Sequence, residues 1–185
     1  MAMPIAGDAT GRPADHPVSA ETPDWSREAK SFWSWQPSRS LLASLRCYQA
    51  TQSRKRPDQV LRRWLAVLRH RFWSVVTGAD IPLGSRIEGG LLLPHPNGIV
   101  VHPGVRIGPN CLLFQQVTLG TGGSMAGVPS LGGHVDVGAG AKLLGGLTVG
   151  AHAVIGANAV VLGDIPPGAT AVGIPARIVG QDVHG

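Results

Sequence analysis

At 185 residues, with 16 Lys and Arg against 11 Asp and Glu, the chain carries a formal charge of +5 and has the length of one domain with a tail. No apolar run approaches the roughly 18 residues that a membrane-spanning helix needs. Met1 to Ala20 is polar and Pro-rich, without a signal-peptide pattern, so the cytoplasm is the expected location.

The charge is uneven. Residues 39–71 hold nine Lys or Arg and one acid, Asp58. The basicity belongs to that segment, and no nucleic-acid partner is expected from it. Cys47 and Cys111 form neither a metal nor a disulfide signature.

Residues 1–37 read as a disordered or extended arm. Pro4, Pro13, Pro17 and Pro23 stand among Ala, Gly, Thr and Asp without periodicity. Trp25, Phe32, Trp33 and Trp35 follow, and so many aromatics in a polar segment imply docking against the body or another subunit. Residues 38–78 read as an α-helical cap. Ser38 to Gln52 is a short helix with Leu41, Leu42, Leu45 and Tyr48 on one face, broken by Arg54-Lys55-Arg56-Pro57. A second helix runs from about Asp58 to Thr77 and stops at Gly78. Its apolar stripe is Leu61, Trp64, Leu65, Leu68, Phe72, Val75 and Val76, with Arg62, Arg63, Arg69 and Arg71 towards the other side. The expectation is that these helices cover an open end of the fold. Contact of helix 58–77 with a membrane surface is the sharper alternative.

Residues 79–185 carry a period of six. Val137, Leu143, Val149, Ile155 and Val161 recur at every sixth position, each followed four residues later by a small or aliphatic residue. The beat is also present at Ile81, Ile87, Leu93 and Ile99, and resumes two residues late at Ile107, Leu113 and Leu119. Neither a helix nor a simple strand has this period. Three such units close one triangular coil of eighteen residues, so Val137 should lie beneath Ile155 and Leu143 beneath Val161. The fold class is mainly β, a parallel β-helix preceded by an α-helical segment. The two-residue slip is placed at Val101 to Val105, with His102 and Pro103 bulging outward. Gly120 to Gly133 interrupts the beat as a loop leaving the prism. It has the composition of a phosphate cradle but no lysine and no P-loop spacing. His95, held between Pro94 and Pro96, is equally a positioned base or a hydrogen-bonded corner histidine. Pro166-Pro167 ends the beat, and Gly173 to Arg177 gives a short terminal strand.

Five stretches carry a family resemblance: Ala79-Asp80-Ile81-Pro82, His95-Pro96-Asn97-Gly98-Ile99-Val100-Val101, Gln116-Val117-Thr118-Leu119-Gly120, Gly138-Ala139-Gly140-Ala141-Lys142, and Gly173-Ile174-Pro175-Ala176-Arg177-Ile178-Val179-Gly180. From about residue 67 to 180 the chain resembles the C-terminal catalytic half of the serine acetyltransferases, within the hexapeptide acyltransferases. Most of the large N-terminal helical domain of longer members has no counterpart here. The resemblance implies a left-handed coil, a homotrimer with sites between subunits, and acetyl-CoA as co-substrate, with no metal. It puts the catalytic histidine on His95 and its partner aspartate on Asp80. CoA would follow backbone at Gly120, Thr121, Gly122 and at Gly138, Ala139, Gly140, Ala141, with Lys142 and Arg177 as phosphate contacts.

The chain departs from the family where the serine zwitterion is held. Pro94 replaces an aspartate, Pro103 replaces a glutamate, and Gly127-Val128 stands where an Arg-His pair is expected. The acceptor thus stays open between L-serine or a related small molecule and a saccharide, as in exopolysaccharide O-acetyltransferases. A zinc enzyme of the gamma carbonic anhydrase type needs two histidines five apart plus a third. His95, His102, His134 and His152 contain no such pair. A non-catalytic trimeric scaffold is the remaining class.

Overall fold

The computed structural model describes residues 18–181 apart from 32, 53–55 and 124. Disorder of residues 1–17, the packing of Phe32 and the helix break at Arg54-Lys55 concern residues outside that set. Two helices precede three short-stranded parallel sheets. Helix α1 is Pro37–Thr51 and α2 is Pro57–Thr77. Each begins with proline in its first turn, where a missing N–H costs nothing. Gly78 ends α2 in the left-handed conformation, φ 67°, its N–H donating to the Ser74 carbonyl.

The sheets are visited in rotation. Sheet I holds β1 (Arg86–Ile87), β3 (Arg106–Ile107), β6 (Ser130–Leu131) and β9 (Thr148–Val149). Sheet II holds β4 (Leu112–Leu113), β7 (Asp136–Val137), β10 (Val154–Ile155), β12 (Ala169–Gly173) and β13 (Ala176–Gln181). Sheet III holds β2 (Val100–Val101), β5 (Thr118–Gly120), β8 (Lys142–Leu144) and β11 (Val160–Val161). The second residue of each two-residue strand is buried and the first is not, as a prism filled from three sides requires. Val137 pairs with Ile155 and Leu143 with Val161, in the register the period dictates. The core is a column of aliphatic rungs with small residues at the corners, Cys111, Ala141, Ala153 and Ala159 among them. Burial pushes the Cys111 thiol up to about 12, so it is an inert packing group.

The coils depart from eighteen residues three times: two insertions bracket sheet III, and the last coil is shortened, Ile165 bridging Val149 and Ala171 pairing with Ile155 at sixteen residues. Bridged Leu92 and Val100 lie eight residues apart, where Arg86 and Leu92 lie six apart. The extra pair therefore sits in Pro94–Gly98, the turn that carries His95, and not at Val101 to Val105. Ile99 and Val101 are both aliphatic and both buried, so the beat alone could be carried through either. His102-Pro103-Gly104 is an ordinary corner turn. The second departure is the glycine-rich loop. It is shorter than its composition implies: β6 already resumes at Ser130, and Leu131 fills an inward slot.

Pro166-Pro167 does not end the stack, since β12 follows it in parallel on β10 with Ala169 and Ala171 buried. The span Gly173 to Arg177 is not one strand but the turn of a hairpin, with β12 ending at Gly173 and β13 starting at Ala176. β13 runs antiparallel to β12 and forms the edge of sheet II. At the other end, α1 buries Leu41, Leu42 and Leu45 in the same core as Ile81 and Ile87. α2 does not follow the expectation for a cap. Its inward side is Ala66, His70 and Thr77, while every member of the apolar stripe is exposed. The cause is geometric: α1 already covers the first coil, and α2 packs beside it through the opposite, narrower face.

The arm is ordered where described. Trp25–Glu28 forms a single 3-10 turn capped by Asp24. Fully buried Asn110 accepts from the Asp24 N–H at 2.8 Å and donates to the carbonyls of Ser19 and Thr22. Glu28 pairs with Arg46 at 2.7 Å, and Arg46 also donates to the Ile87 carbonyl, which ties arm, α1 and first coil together.

His70 makes a second tie. Its Nε2–H donates to the Ile81 carbonyl at 2.8 Å, and Nδ1 faces the Ser44 hydroxyl at 3.1 Å. Desolvation lowers its pKa against the opposing effects of the Ile81 hydrogen bond and the Asp80 charge. A depressed histidine favours the fold when neutral, so its contribution is complete above the unfolded value of about 6.5 and is lost as pH falls through the folded value. The thermal midpoint is expected to fall on acidification below about pH 6.5, and less steeply in His70→Gln than in the wild type. Equal slopes in a pH series of melting curves would remove His70 as the source.

Candidate functional site

His95 stands on the corner between sheets II and III, in the one turn there lengthened by two residues. Pro94 and Pro96 fix the backbone on either side of it. The ring is exposed, and among the described residues it makes no hydrogen bond. It lines a cleft of about 370 Å³ with Pro37 and Ser38 at the start of α1, Val76 and Thr77 at the end of α2, and Asn97. The helix ends that wall this cleft are what the sequence did not signal. A hollow of about 410 Å³ lies over sheet I, among Arg86, Arg106 and Ser130. It holds no imidazole and faces away from this corner.

Asp80 bridges Val100 at the top of sheet III, with its backbone bonded to Ile99 and Val101. It thus belongs to the rung directly above the strand that leaves the His95 turn. Its carboxylate is exposed, and no hydrogen bond joins it to His95. The expected orienting contact is therefore absent from the single chain, although both groups share one end of sheet III.

Backbone bonds step down the corner: Gln116 N–H to the Asn97 carbonyl, Gly140 N–H to Gln115, Asn158 N–H to Ala139, each 2.8–2.9 Å. Gly138, Ala139, Gly140 and Ala141 hence lie two coils below His95, roughly 10 Å at the usual strand spacing. Gly140 is required there: its φ is +74°, and a Cβ would fall 2.1 Å from Asn158 Oδ1. Lys142 opens β8 on sheet III itself and donates to the Gln116 carbonyl. Gly120, Thr121 and Gly122 are on the opposite border of the same sheet, at the end of β5 and the start of the loop. Arg177 is apart from all of these, on edge strand β13 at the far end of sheet II, exposed and bonded to the Ala176 carbonyl. The structure thus brings His95 and Gly138–Ala141 to one corner and frames sheet III with the remaining glycines, but leaves Arg177 outside.

His134 and His152 meet edge to face at the corner between sheets I and II, with Nδ1 atoms 2.9 Å apart. Desolvation lowers the His134 pKa. Among the described residues, no three His, Cys, Asp or Glu side chains are grouped to hold a metal ion.

No family model matches the chain. Two curated proteins resemble parts of it. A serine acetyltransferase of Synechococcus elongatus is 42% identical over 53 residues, 29% of this chain and 22% of its own length. A probable serine acetyltransferase 3 of Oryza sativa subsp. japonica is 42% identical over 66 residues, again 22% of its length. Similarity to solved structures extends further. A serine acetyltransferase in complex with cysteine superposes with a TM-score of 0.67 at 37% identity, over 82% of this chain and 57% of that one. The soybean enzyme complexed with serine gives 0.61 at 37% identity, over 77% and 56%. The Brucella abortus enzyme in complex with coenzyme A gives 0.67 at 30%, over 80% and 57%. The chain thus spans about a fifth of the curated relatives and little more than half of these solved chains. Over the part that these comparisons cover, the chain is similar in fold and in sequence to the serine acetyltransferases.

Proposed function

We propose that this protein is an acetyl-CoA-dependent O-acetyltransferase that acts on the hydroxyl of L-serine or a related small acceptor. The observation that carries this reading is His95: an exposed, unbonded imidazole in a cleft, on the corner that also holds the Gly138–Ala141 turn. Relatives solved with serine and with coenzyme A support it.

A hydroxyl is a poor nucleophile near neutral pH. His95 takes its proton as the oxygen attacks the thioester carbonyl. The tetrahedral oxyanion is held by a backbone N–H. The C–S bond then breaks, the acetyl group stays on the acceptor oxygen, and the imidazolium returns its proton to the departing CoA sulfur. Asp80, with both partners exposed, closes on the imidazole in the complex, fixing its tautomer and stabilising its charged form. CoA lies along sheet III, bordered by Gly120–Gly122 on one side and Gly138–Ala141 on the other, with Lys142 beside its phosphates. Arg177 reaches phosphate only at the distal end of such a groove. The reading includes a left-handed coil, a homotrimer with the cleft at a junction between copies, and a cytoplasmic setting. No described helix is long and apolar enough to cross a membrane.

The acceptor is decided by free CoA released from acetyl-CoA with serine, homoserine and a panel of sugars. The expected order places serine and homoserine above the sugars. Release with sugars alone would move the acceptor to a saccharide, in keeping with Pro94, Pro103 and Gly127-Val128. No release with any acceptor, and no thermal shift with acetyl-CoA, would leave a scaffold.

A further inference from the structure

Sheet I carries a feature that the acyl chemistry does not use. Its outward row, read down the register, is Arg86, Arg106, Ser130 and Thr148, because β1 pairs with β3, β3 with β6 and β6 with β9 through those residues. The first two set like charges on neighbouring parallel strands, about 4.8 Å apart at the backbone. Such a pair is unfavourable unless an opposite charge offsets it.

Among the described residues none does. Both arginines are exposed, and neither guanidinium makes a hydrogen bond or an ion pair with another described residue. Glu88 is the one acid lining the hollow beside them, and it takes part in neither described ion pair, Glu28–Arg46 or Arg56–Asp58. Arg46 reaches the Ile87 and Glu88 carbonyls from α1, but Glu28 already matches its charge. Two unmatched cations therefore stand side by side, with the Ser130 hydroxyl next in the row.

The surface is concave at this place. Arg86, Arg106 and Ser130 line the hollow of about 410 Å³ together with Gln49 of α1 and Glu88. A space of that volume admits a small molecule. The donors select its charged group. Each guanidinium is a planar fork with two parallel N–H donors, the geometry in which arginine grips a phosphate, and two forks on adjacent strands can share one tetrahedral anion. Glu88 and Ser130 are left to meet hydroxyls on the rest of the ligand.

We propose that the hollow over sheet I is a phosphate site, in which Arg86 and Arg106 together hold the phosphate group of a small phosphorylated molecule. The bound anion supplies the opposite charge that the paired strands lack. The site shares no residue with the His95 cleft, so it stands or falls independently of the acyl reading.

Titration calorimetry of the full chain with inorganic phosphate, at an ionic strength held constant with chloride, is expected to show saturable binding. Arg86→Gln and Arg106→Gln are each expected to weaken it about 10–100-fold, the worth of a hydrogen bond to a charged group, with unchanged circular dichroism spectra. Lys142→Gln, beside the path drawn for CoA, is expected to bind phosphate as the wild type does. In phosphate-free buffer of low ionic strength, Arg106→Gln is expected to melt no lower than the wild type, because it relieves the repulsion. Glucose 6-phosphate is expected to bind and glucose is not; tighter binding than inorganic phosphate assigns the site to an esterified ligand, and equal binding to free phosphate. Absence of saturable binding, undiminished affinity in both arginine variants, or loss in Lys142→Gln instead would each overturn the site. A lower midpoint for Arg106→Gln would do the same, by showing that its guanidinium already has a partner.

Discussion

His95→Ala is expected to lower turnover by about 10²–10⁴-fold, the range for losing a positioned general base, with acetyl-CoA binding retained. The argument rests on isolation. The ring has no hydrogen bond to any described residue and is exposed, so its removal leaves no buried group unpaired and opens no cavity. Activity and stability should therefore separate. Initial-rate kinetics beside a melting curve would show a lost kcat at an unchanged midpoint. Asp80→Asn, which retains the imidazole, should lose less. Full activity in His95→Ala would remove the proposed chemistry.

Leu143→Ala is expected to do the reverse. Leu143 is fully buried in the middle of sheet III, paired to Leu119 on one side and Val161 on the other. Truncation of a buried leucine costs about 2–5 kcal/mol through lost transfer energy and the cavity left behind. For a chain of this size that corresponds to roughly 4–20 °C in thermal midpoint. The rungs above and below are held by backbone pairing, so the column has little freedom to collapse into the void. A midpoint within about 2 °C of wild type would mean that the stack relaxes, contrary to its regular register.

Much of this architecture is legible because the coil imposes a repeated inner period over most of its length. Val137, Leu143, Ile155 and Val161 need no tertiary context to be placed, since only one register buries them all. The readings that failed did so where more than one residue met the same requirement. Ile99 and Val101 are equally aliphatic and both buried, so the beat alone does not distinguish a slip after Val101 from the actual one in the turn that carries His95. Leu131 stands six residues before Val137, yet the surrounding glycines mask it, and the loop is shorter than its glycine content implies. Amphipathicity showed that α2 has an apolar side but not which side meets the prism; that depended on α1 having already filled the first coil. The anchoring of the arm by Asn110 left no periodic trace, because a side-chain amide reaching three backbone groups is a single event. At the site, the family-like stretches point to His95, Asp80 and the Gly138–Lys142 corner, while Val76 and Thr77 come to line the His95 cleft only through folding.

The two lengthened turns have a broader consequence. Both extra stretches, the pair around His95 and the glycine-rich excursion, leave at vertices of the triangle and return to the same inward slot. Length at a vertex is thus invisible to the column of side chains beneath it. Such a scaffold can trade one excursion for another, and so change which molecule it admits, while its melting behaviour stays fixed; diversification and durability are written in different parts of the same eighteen-residue turn.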